Sequence, residues 1–401
     1  MSKSITLTAL DIGTGAIKGL CARKDLKEDK VEILAQAELP CLGVRNGEIV
    51  KPQEVSKAIR QVVANLAGKA NIKIKEVLVN IGGSHLFSVA SQGLVSVSRA
   101  DQKISKEDIA RVIKEAEAVN LPSNKEVLDI FPQEFIVDGE GGIKDPMGLE
   151  GIRLESKVLL VCVFSPVLEN LEVAIEEAGL DVDAVYLSPL ASARAVLTDE
   201  QKELGVALVD IGFGTTSIAV FEKGEMVNFN IFPVGASNIT NDIAIGLRTE
   251  IKTAEKIKRD FGTLKPSIKK GSKEKIKIPE TMTEFSRKFL KDIIESRVGE
   301  ILNEVDKSLK KISRAEPLPA GIVLTGGGAK MPGIVEFSKQ KFKLPGRLAE
   351  FSRIKGLDET QFSTALGLLL LGFDVAQGEG SSSSGGSFCR RLKRIFKVFL
   401  P

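Results

Sequence analysis

Two short stretches, L-D-I-G-T-G-A at residues 10–16 and V-D-I-G-F-G-T at residues 209–215, each set an aspartate, two glycines and a hydroxyl residue at the end of an apolar run. Glycine tolerates positive φ and lets a backbone approach a ligand closely, so such a turn can aim its N–H groups at an anion. A carboxylate beside a phosphate in turn calls for a divalent cation. Asp11 and Asp210 are therefore candidate partners of Mg2+, through water, because Mg2+ keeps much of its hydration shell and takes few protein carboxylates. A third turn, T-G-G-G-A-K at 325–330, follows an apolar run and precedes a helical pattern at 334–341; Gly326, Gly327 and Gly328 can lie flat against a purine or a ribose. Rival phosphate motifs fail: the chain has no G-x-x-x-x-G-K-[ST], and the first turn lacks the spacing of a dinucleotide fingerprint.

A repeated turn implies two similar half-molecules facing one ligand, and the elements around it agree. Strand patterns at 31–38, 77–81, 158–164, 206–210, 217–221 and 321–325 alternate with helical patterns at 54–67 and 168–178, which predicts an α/β architecture. Between 84 and 160, a helix at 104–120 capped by Ser105 and strands at 94–97 and 127–137 predict a small inserted α/β subdomain. In the second half, the Lys-rich stretch 265–277 reads as a solvated loop and 285–311 as a helix. The apolar run 365–373 is about half of what a membrane span requires and reads as a core helix.

The length of 401 residues exceeds what one core usually serves, so two or more domains are expected. With 43% hydrophobic and 27% charged residues the composition is that of an ordinary folded protein. Its four cysteines lie far apart with a single histidine, His85, which argues for reduced thiols and against a metal cluster. His85 itself reads as a structural residue. No leader-like segment is visible, because Asp11 interrupts the first apolar run. With no Trp and one Tyr, and no basic stripe across the body, nucleic acid is an unexpected partner.

The positive charge is concentrated instead at 388–401. Arg390, Arg391, Lys393, Arg394 and Lys397 carry five charges with no acid, more than the net +3 of the whole chain, so the remainder is mildly acidic. Phe388, Leu392, Ile395, Phe396 and Phe399 fall at i, i+4, i+7, i+8 and i+11, one helical stripe with the cations mostly opposite. This is the pattern of an amphipathic helix lying in the interface of an anionic membrane. The segment 378–387, rich in Gly and Ser, behaves as a flexible tether to it.

Taken together, the two D-I-G-x-G turns and T-G-G-G-A resemble the phosphate and adenosine motifs of the actin, Hsp70 and sugar-kinase superfamily. G-V-R-N-G-E-I at 43–49, V-N-I-G-G-S-H at 79–85, F-P-Q-E-F-I-V-D-G at 131–139, I-K-D-P-M-G-L at 143–149 and T-A-E-K-I-K at 253–258 are similar to the FtsA family of bacterial division proteins. The resemblance covers nearly the whole chain. It implies an actin-like, ribonuclease H-like fold of two lobes: 1–83 with 161–204 as the first, 84–160 inserted into it, 205–235 with 318–377 as the second, and 236–317 inserted there. It implies ATP with Mg2+ between the lobes, with Gly13, Thr14, Gly15 and Lys18 together with Gly212, Gly214, Thr215 and Thr216 at the phosphates, Gly326, Gly327 and Gly328 along the base, and Glu255 and Lys258 at the ribose or adenine; Lys18 can supply positive charge to the phosphates, and Glu255 and Lys258 share a helical face at i, i+3. It further implies a protein that forms filaments on the cytoplasmic side of the cell membrane at the division site, binds the C-terminal peptide of the tubulin-like FtsZ and recruits later division proteins, with Arg297 as a candidate peptide contact. Where relatives in the superfamily tend to carry a Gln or Glu that orients water, this chain has Ser188, so at most slow ATP hydrolysis is expected. Two other readings stay open at this point: an actin-like adaptor of type IV pilus assembly, and a small-molecule kinase.

Overall fold

Asp11 and Asp210 occupy equivalent places in two sheets of the same topology. A computed structural model describes residues 4–28, 30–98, 100–266, 275–278, 283–312, 318–351, 357 and 359–378. The amphipathic stripe at 388–401, the tether beyond 378 and much of the Lys-rich stretch lie outside the described residues.

The first lobe opens with β1 (Ser4–Ile12), β2 (Ala16–Asp25) and β3 (Lys30–Pro40), followed by a small hairpin, β4 (Val44–Arg45) and β5 (Glu48–Ile49). Then come α1 (Pro52–Ala70) and β6 (Glu76–Ile81). An insertion follows: β7 (Phe87–Ser96), α2 (Lys106–Glu117), β8 (Lys125–Val137), β9 (Glu140–Ile143) and β10 (Arg153–Phe164). The lobe ends with α3 (Ser165–Glu176), β11 (Asp181–Leu187), α4 (Ser188–Val196) and α5 (Asp199–Leu204). The second lobe has β12 (Val206–Ile211), β13 (Thr216–Glu222) and β14 (Glu225–Phe232), then α6 (Ala236–Leu247) and α7 (Ile251–Phe261). It continues with β15 (Lys275–Ile278), β16 (Thr283–Ser286), α8 (Arg287–Ile312), β17 (Ile322–Thr325), α9 (Ile334–Phe342), β18 (Gly346–Leu348) and α10 (Ser363–Gly378).

The first sheet runs β11-β6-β1-β2-β3 and the second β14-β13-β12-β17-β18, so each is a three-stranded antiparallel meander extended on its first strand by two parallel strands. Sequential apolar residues bury the second half of β1 and most of β12 as central strands, as in Ala9, Leu10, Ala207 and Val209. The turn leaving each central strand is the D-I-G-x-G turn, which places both turns on the edges of the sheets that face one another.

The helices follow local rules. Pro52 starts α1, Glu54 and Lys69 suit its two ends, and Asn71 closes it in a left-handed conformation. Ser105 caps α2 in a capping box with Asp108, as expected, with buried Ile104 and Ile109 placed at the two ends of a hydrophobic staple. The predicted helix 104–120 is shorter at both ends, because the cap falls at Ser105 and the chain turns away at Ala118 before Pro122. The loop expected over 265–277 also differs: residues 275–277 pair with β16. Inside the insertion, α2 packs on the sheet β7-β10-β8-β9 around a core of its own. The insertion also reaches the second lobe, where Gln133 Nε2 donates to the Met226 carbonyl at 3.1 Å, and α5 at the end of the first lobe, where Lys144 pairs with Glu203 at 3.0 Å.

One helix crosses the grouping that chain order suggests. α10 follows the second lobe in sequence, within 318–377, yet it packs on β1, β2 and β6 and against α4. It is apolar all round because it lies between that sheet and α4. Its close contact with α4 depends on Gly367: a Cβ there would lie 1.7 Å from the Ala191 carbonyl oxygen. Gly367→Ala should therefore push α10 off α4 and cost about 3 kcal/mol in spite of alanine's better helix propensity, as read by chemical denaturation. A melt equal to wild type would show that the helix pair shifts freely.

Candidate functional site

Between the lobes lies a cleft of about 730 Å3, bordered by both D-I-G-x-G turns, by Glu255 and Lys258, and by Gly326, Gly327 and Gly328. In the first turn, Gly13 N–H donates to the Ala16 carbonyl at 3.1 Å and closes the hairpin. Lys18 lies on β2, directly across from Asp11, and its Nζ is 3.1 Å from Asp11 Oδ2. Burial works against the Lys18 charge, yet Asp11, with Glu38 and Asp210 farther off, outweighs it and raises the ammonium pKa, so Lys18 stays protonated.

Sequence reasoning missed the group that aims Asp11. Asn80, on β6, donates to Asp11 Oδ1 and to Ser188 Oγ, both at 3.0 Å, and accepts the Ile12 N–H at 2.6 Å. Asparagine at a buried site in an apolar strand, within V-N-I-G-G-S-H, was the available signal. Ser188 Oγ donates in turn to the Ile81 carbonyl at 2.9 Å, so its only hydrogen is taken up inside the protein. The hairpin β4–β5 was also unforeseen as part of the site: the Gly47 N–H donates to Thr14 Oγ1 at 3.0 Å, fastening its tip to the first turn.

In the second turn, the Gly212 N–H donates to the Thr215 carbonyl at 2.8 Å, repeating the closure of the first. Asp210 accepts from Ser192 Oγ at 3.0 Å. Desolvation pushes its carboxyl up to about 6, against the Ser192 hydrogen bond and with some help from Asp11. A carboxylate that the protein leaves under-compensated, with Asp11 near it across the cleft, fits the hydration shell of a divalent cation. Gly212 and Thr215 border the cleft, whereas Gly214 packs on Thr14 of the opposite turn. Thr216 does not reach the cleft: it is fully buried and its hydroxyl donates to the Val234 carbonyl at 2.8 Å.

Glu255 and Lys258, one helical turn apart on α7, form an ion pair of 2.6 Å. Burial lowers the Lys258 pKa while Glu255 opposes the shift; burial also works against the Glu255 charge, but hydrogen bonds from Lys258 and Thr240 keep its carboxyl below the usual range. Lys258 Nζ donates to Glu255, to Thr240 Oγ1 at 2.7 Å and to the Ala236 carbonyl at 3.1 Å, which uses all three of its hydrogens. Glu255 is thus the member with lone pairs left for a sugar hydroxyl. Met331, Pro332 and Ile239 add apolar surface to this end of the cleft.

The remaining candidates sit elsewhere. Arg297, on α8, pairs with Asp242 of α6 at 2.5 Å and Glu300 at 2.6 Å, away from the cleft. His85 Nδ1 lies 3.3 Å from Glu48 Oε1; burial lowers its pKa against that carboxylate, as suits a structural residue. Among the described residues no cluster of His, Cys, Asp and Glu has a metal-binding geometry of its own, and no helix is long and apolar enough to cross a membrane.

Comparison with known proteins bears on the family and the fold. The family described as "Cell division protein FtsA" matches residues 207–367, and the "SHS2 domain inserted in FTSA" matches residues 83–162. The chain is 36% identical to Cell division protein FtsA of Neisseria meningitidis over 97% of either chain, and 34% identical to that of Pseudomonas aeruginosa over 95% of this chain and 93% of the other. The Bacillus subtilis protein of the same name is 33% identical over 92% of this chain and 84% of its own. Among solved structures, a PilM-PilN type IV pilus biogenesis complex aligns with a TM-score of 0.66 at 18% identity, covering 91% of this chain and 98% of the other. MreB5 of Spiroplasma citri bound to ADP aligns with a TM-score of 0.55 at 13% identity, covering 94% and 99%. At such identities the structural likeness establishes an actin-like fold and nothing more.

Proposed function

The chain belongs to the FtsA family of bacterial cell division proteins, and from that premise we propose that this actin-like protein binds ATP with Mg2+ between its lobes, forms filaments on the cytoplasmic face of the membrane and holds FtsZ there. The observation that carries the nucleotide reading is the convergence of three glycine turns, 10–16, 209–215 and 325–330, on one cleft. Gly13, Thr14, Gly15 and Lys18 hold the phosphates from one side, and Gly212 and Thr215 from the other, with Gly214 packed on Thr14 where the turns meet. Asp11, aimed by Asn80, and Asp210 hold the hydrated Mg2+, which supplies charge neutralisation at the phosphates. Glu255 accepts from the ribose, with Lys258 fixing its position, and Gly326, Gly327 and Gly328 line the base. Hydrolysis is slow, because the Ser188 hydroxyl is bound between Asn80 and the Ile81 carbonyl and orients no water.

Membrane attachment rests on the 388–401 stripe. Burying its five large apolar side chains yields about 1.5–3 kcal/mol each before the costs of partial immersion and helix ordering, and anionic lipid adds about 1 kcal/mol per cation. A single tail therefore binds reversibly, and a filament multiplies it by avidity. Arg297 is the proposed anchor for an acidic residue of the FtsZ C-terminal peptide, and later division proteins join the same membrane-bound assembly. A type IV pilus adaptor would share the fold without needing this basic stripe.

Flotation with anionic vesicles, ATP and a labelled FtsZ C-terminal peptide tests the reading. The full chain is expected to float and carry the peptide with it, and removal of residues 388–401 should leave both at the bottom. Flotation unchanged by the deletion would refute attachment through the stripe; a floating chain without peptide would refute the FtsZ assignment.

A further inference from the structure

Phe213 fills the variable position of the second turn, and it is an exposed large apolar side chain bordering the phosphate end of a cleft lined there mainly by glycines, hydroxyls and charges, with Ile12 of the first turn almost wholly buried. It is 47% exposed, so no core holds it in place. What it touches is the opposite lobe. A Cβ built on Gly15 would lie 2.7 Å from Phe213 Cγ and 2.9 Å from its Cβ, so the ring rests on the first turn where only a glycine leaves room. Beside it the turns meet again, since a Cβ on Gly214 would lie 2.6 Å from Thr14 Cγ2. Both ends of this contact are pinned. Thr14 Oγ1 accepts the Gly47 N–H at 3.0 Å, and the Phe213 carbonyl accepts the Ser237 N–H at 2.7 Å, at the start of α6.

We infer that the Phe213 ring closes the seam between the two phosphate turns, acting as a specificity-determining gate that bars an acceptor hydroxyl and retards water and nucleotide exchange. The inference rests on the nucleotide reading above and deepens it. A phosphate held between two turns can be approached in line only through the seam or the open mouth of the cleft, and transfer needs an acceptor oxygen roughly 3–3.5 Å from phosphorus. An apolar ring at the seam offers neither the space nor a hydrogen bond to a sugar hydroxyl or a water. The same ring must move aside whenever nucleotide enters or leaves through that side, so it slows both directions without supplying binding energy. The cleft is thereby built to retain nucleotide, which suits a protein whose nucleotide state accompanies assembly, and is unsuited to a kinase.

The test compares wild type with Phe213→Ala and Phe213→Leu in the full chain, using a fluorescent N-methylanthraniloyl ATP with Mg2+. Phe213→Ala should speed association and dissociation alike, each by about tenfold, leaving Kd within about threefold of wild type, and should raise phosphate release severalfold. Phe213→Leu, which keeps bulk at the seam, should stay close to wild type and controls for folding. Rates within twofold of wild type in Phe213→Ala would overturn the gate, as would faster dissociation with a matching loss of affinity, because the ring would then be a ligand contact. If wild type itself fails to bind the nucleotide, the reading of the cleft falls, and this inference with it.

Discussion

Gly326→Ala is expected to lower the affinity for Mg2+ and ATP by about a hundredfold, or about 2.7 kcal/mol, while the neighbouring Gly327→Ala stays within about threefold of wild type. Gly326 has φ of +87°, and a Cβ there would lie 2.2 Å from Asp210 Oδ1 and 2.6 Å from the Ile211 carbonyl oxygen. Alanine at that position must distort the third turn and displace the carboxylate proposed to hold the metal's water shell. The backbone strain alone is worth about 1–2 kcal/mol, and the displaced Asp210 accounts for the rest. A Cβ on Gly327 meets nothing within 4 Å, so its alanine variant perturbs neither turn nor carboxylate. Titration of a fluorescent ATP analogue by both variants decides the matter: equal, near-wild-type affinities would mean that the third turn does not face the ligand.

Asp108→Ala is expected to cost the inserted subdomain about 3 kcal/mol at neutral pH, measured by urea unfolding. Asp108 is fully buried and accepts from the Ser98 N–H at 3.1 Å, the Ser98 hydroxyl at 2.7 Å, the Ser105 N–H at 3.0 Å and the Ser105 hydroxyl at 2.7 Å, with Arg111 pairing at its rim. Burial alone would raise its carboxyl, but these donors hold it well below its ordinary value of 3.8. A folded pKa depressed in this way means that the stabilisation is complete above the ordinary value and is lost as pH falls through the folded one. Wild type should therefore lose stability on acidification below about pH 4, and Asp108→Ala should lose less over the same range. Parallel pH profiles for the two proteins would show that some other carboxylate governs the acid limb.

Much of the cleft's lining was legible because glycine turns are local. Strand, aspartate, glycine and hydroxyl are adjacent in the chain, and the spacing of Glu255 and Lys258 already puts them on one helix face. The cap at Ser105 was equally readable, since its partner Asp108 is three residues away. What escaped was every contribution brought in from a distance. Asn80 reaches Asp11 across 69 positions and Gly47 reaches Thr14 across 33, and neither has a local pattern that names its partner. Thr216 erred in the opposite direction: it sits next to Thr215, but β13 alternates its side chains, so one hydroxyl faces the cleft and the next is turned inward to Val234.

The chain by itself determined that two like half-molecules exist and that each ends a central strand in a D-I-G-x-G turn, because backbone conformation at a glycine turn is set by a few neighbouring residues. It also determined the amphipathic stripe at 388–401, whose periodicity is a property of sequence alone. Only the tertiary structure decided that the two turns touch through Phe213, that α10 returns to the first lobe's sheet, and that Ser188 has its hydrogen already engaged. Those facts depend on which surfaces pack together, and packing is chosen by the summed burial of residues far apart in the chain rather than by any short stretch of it.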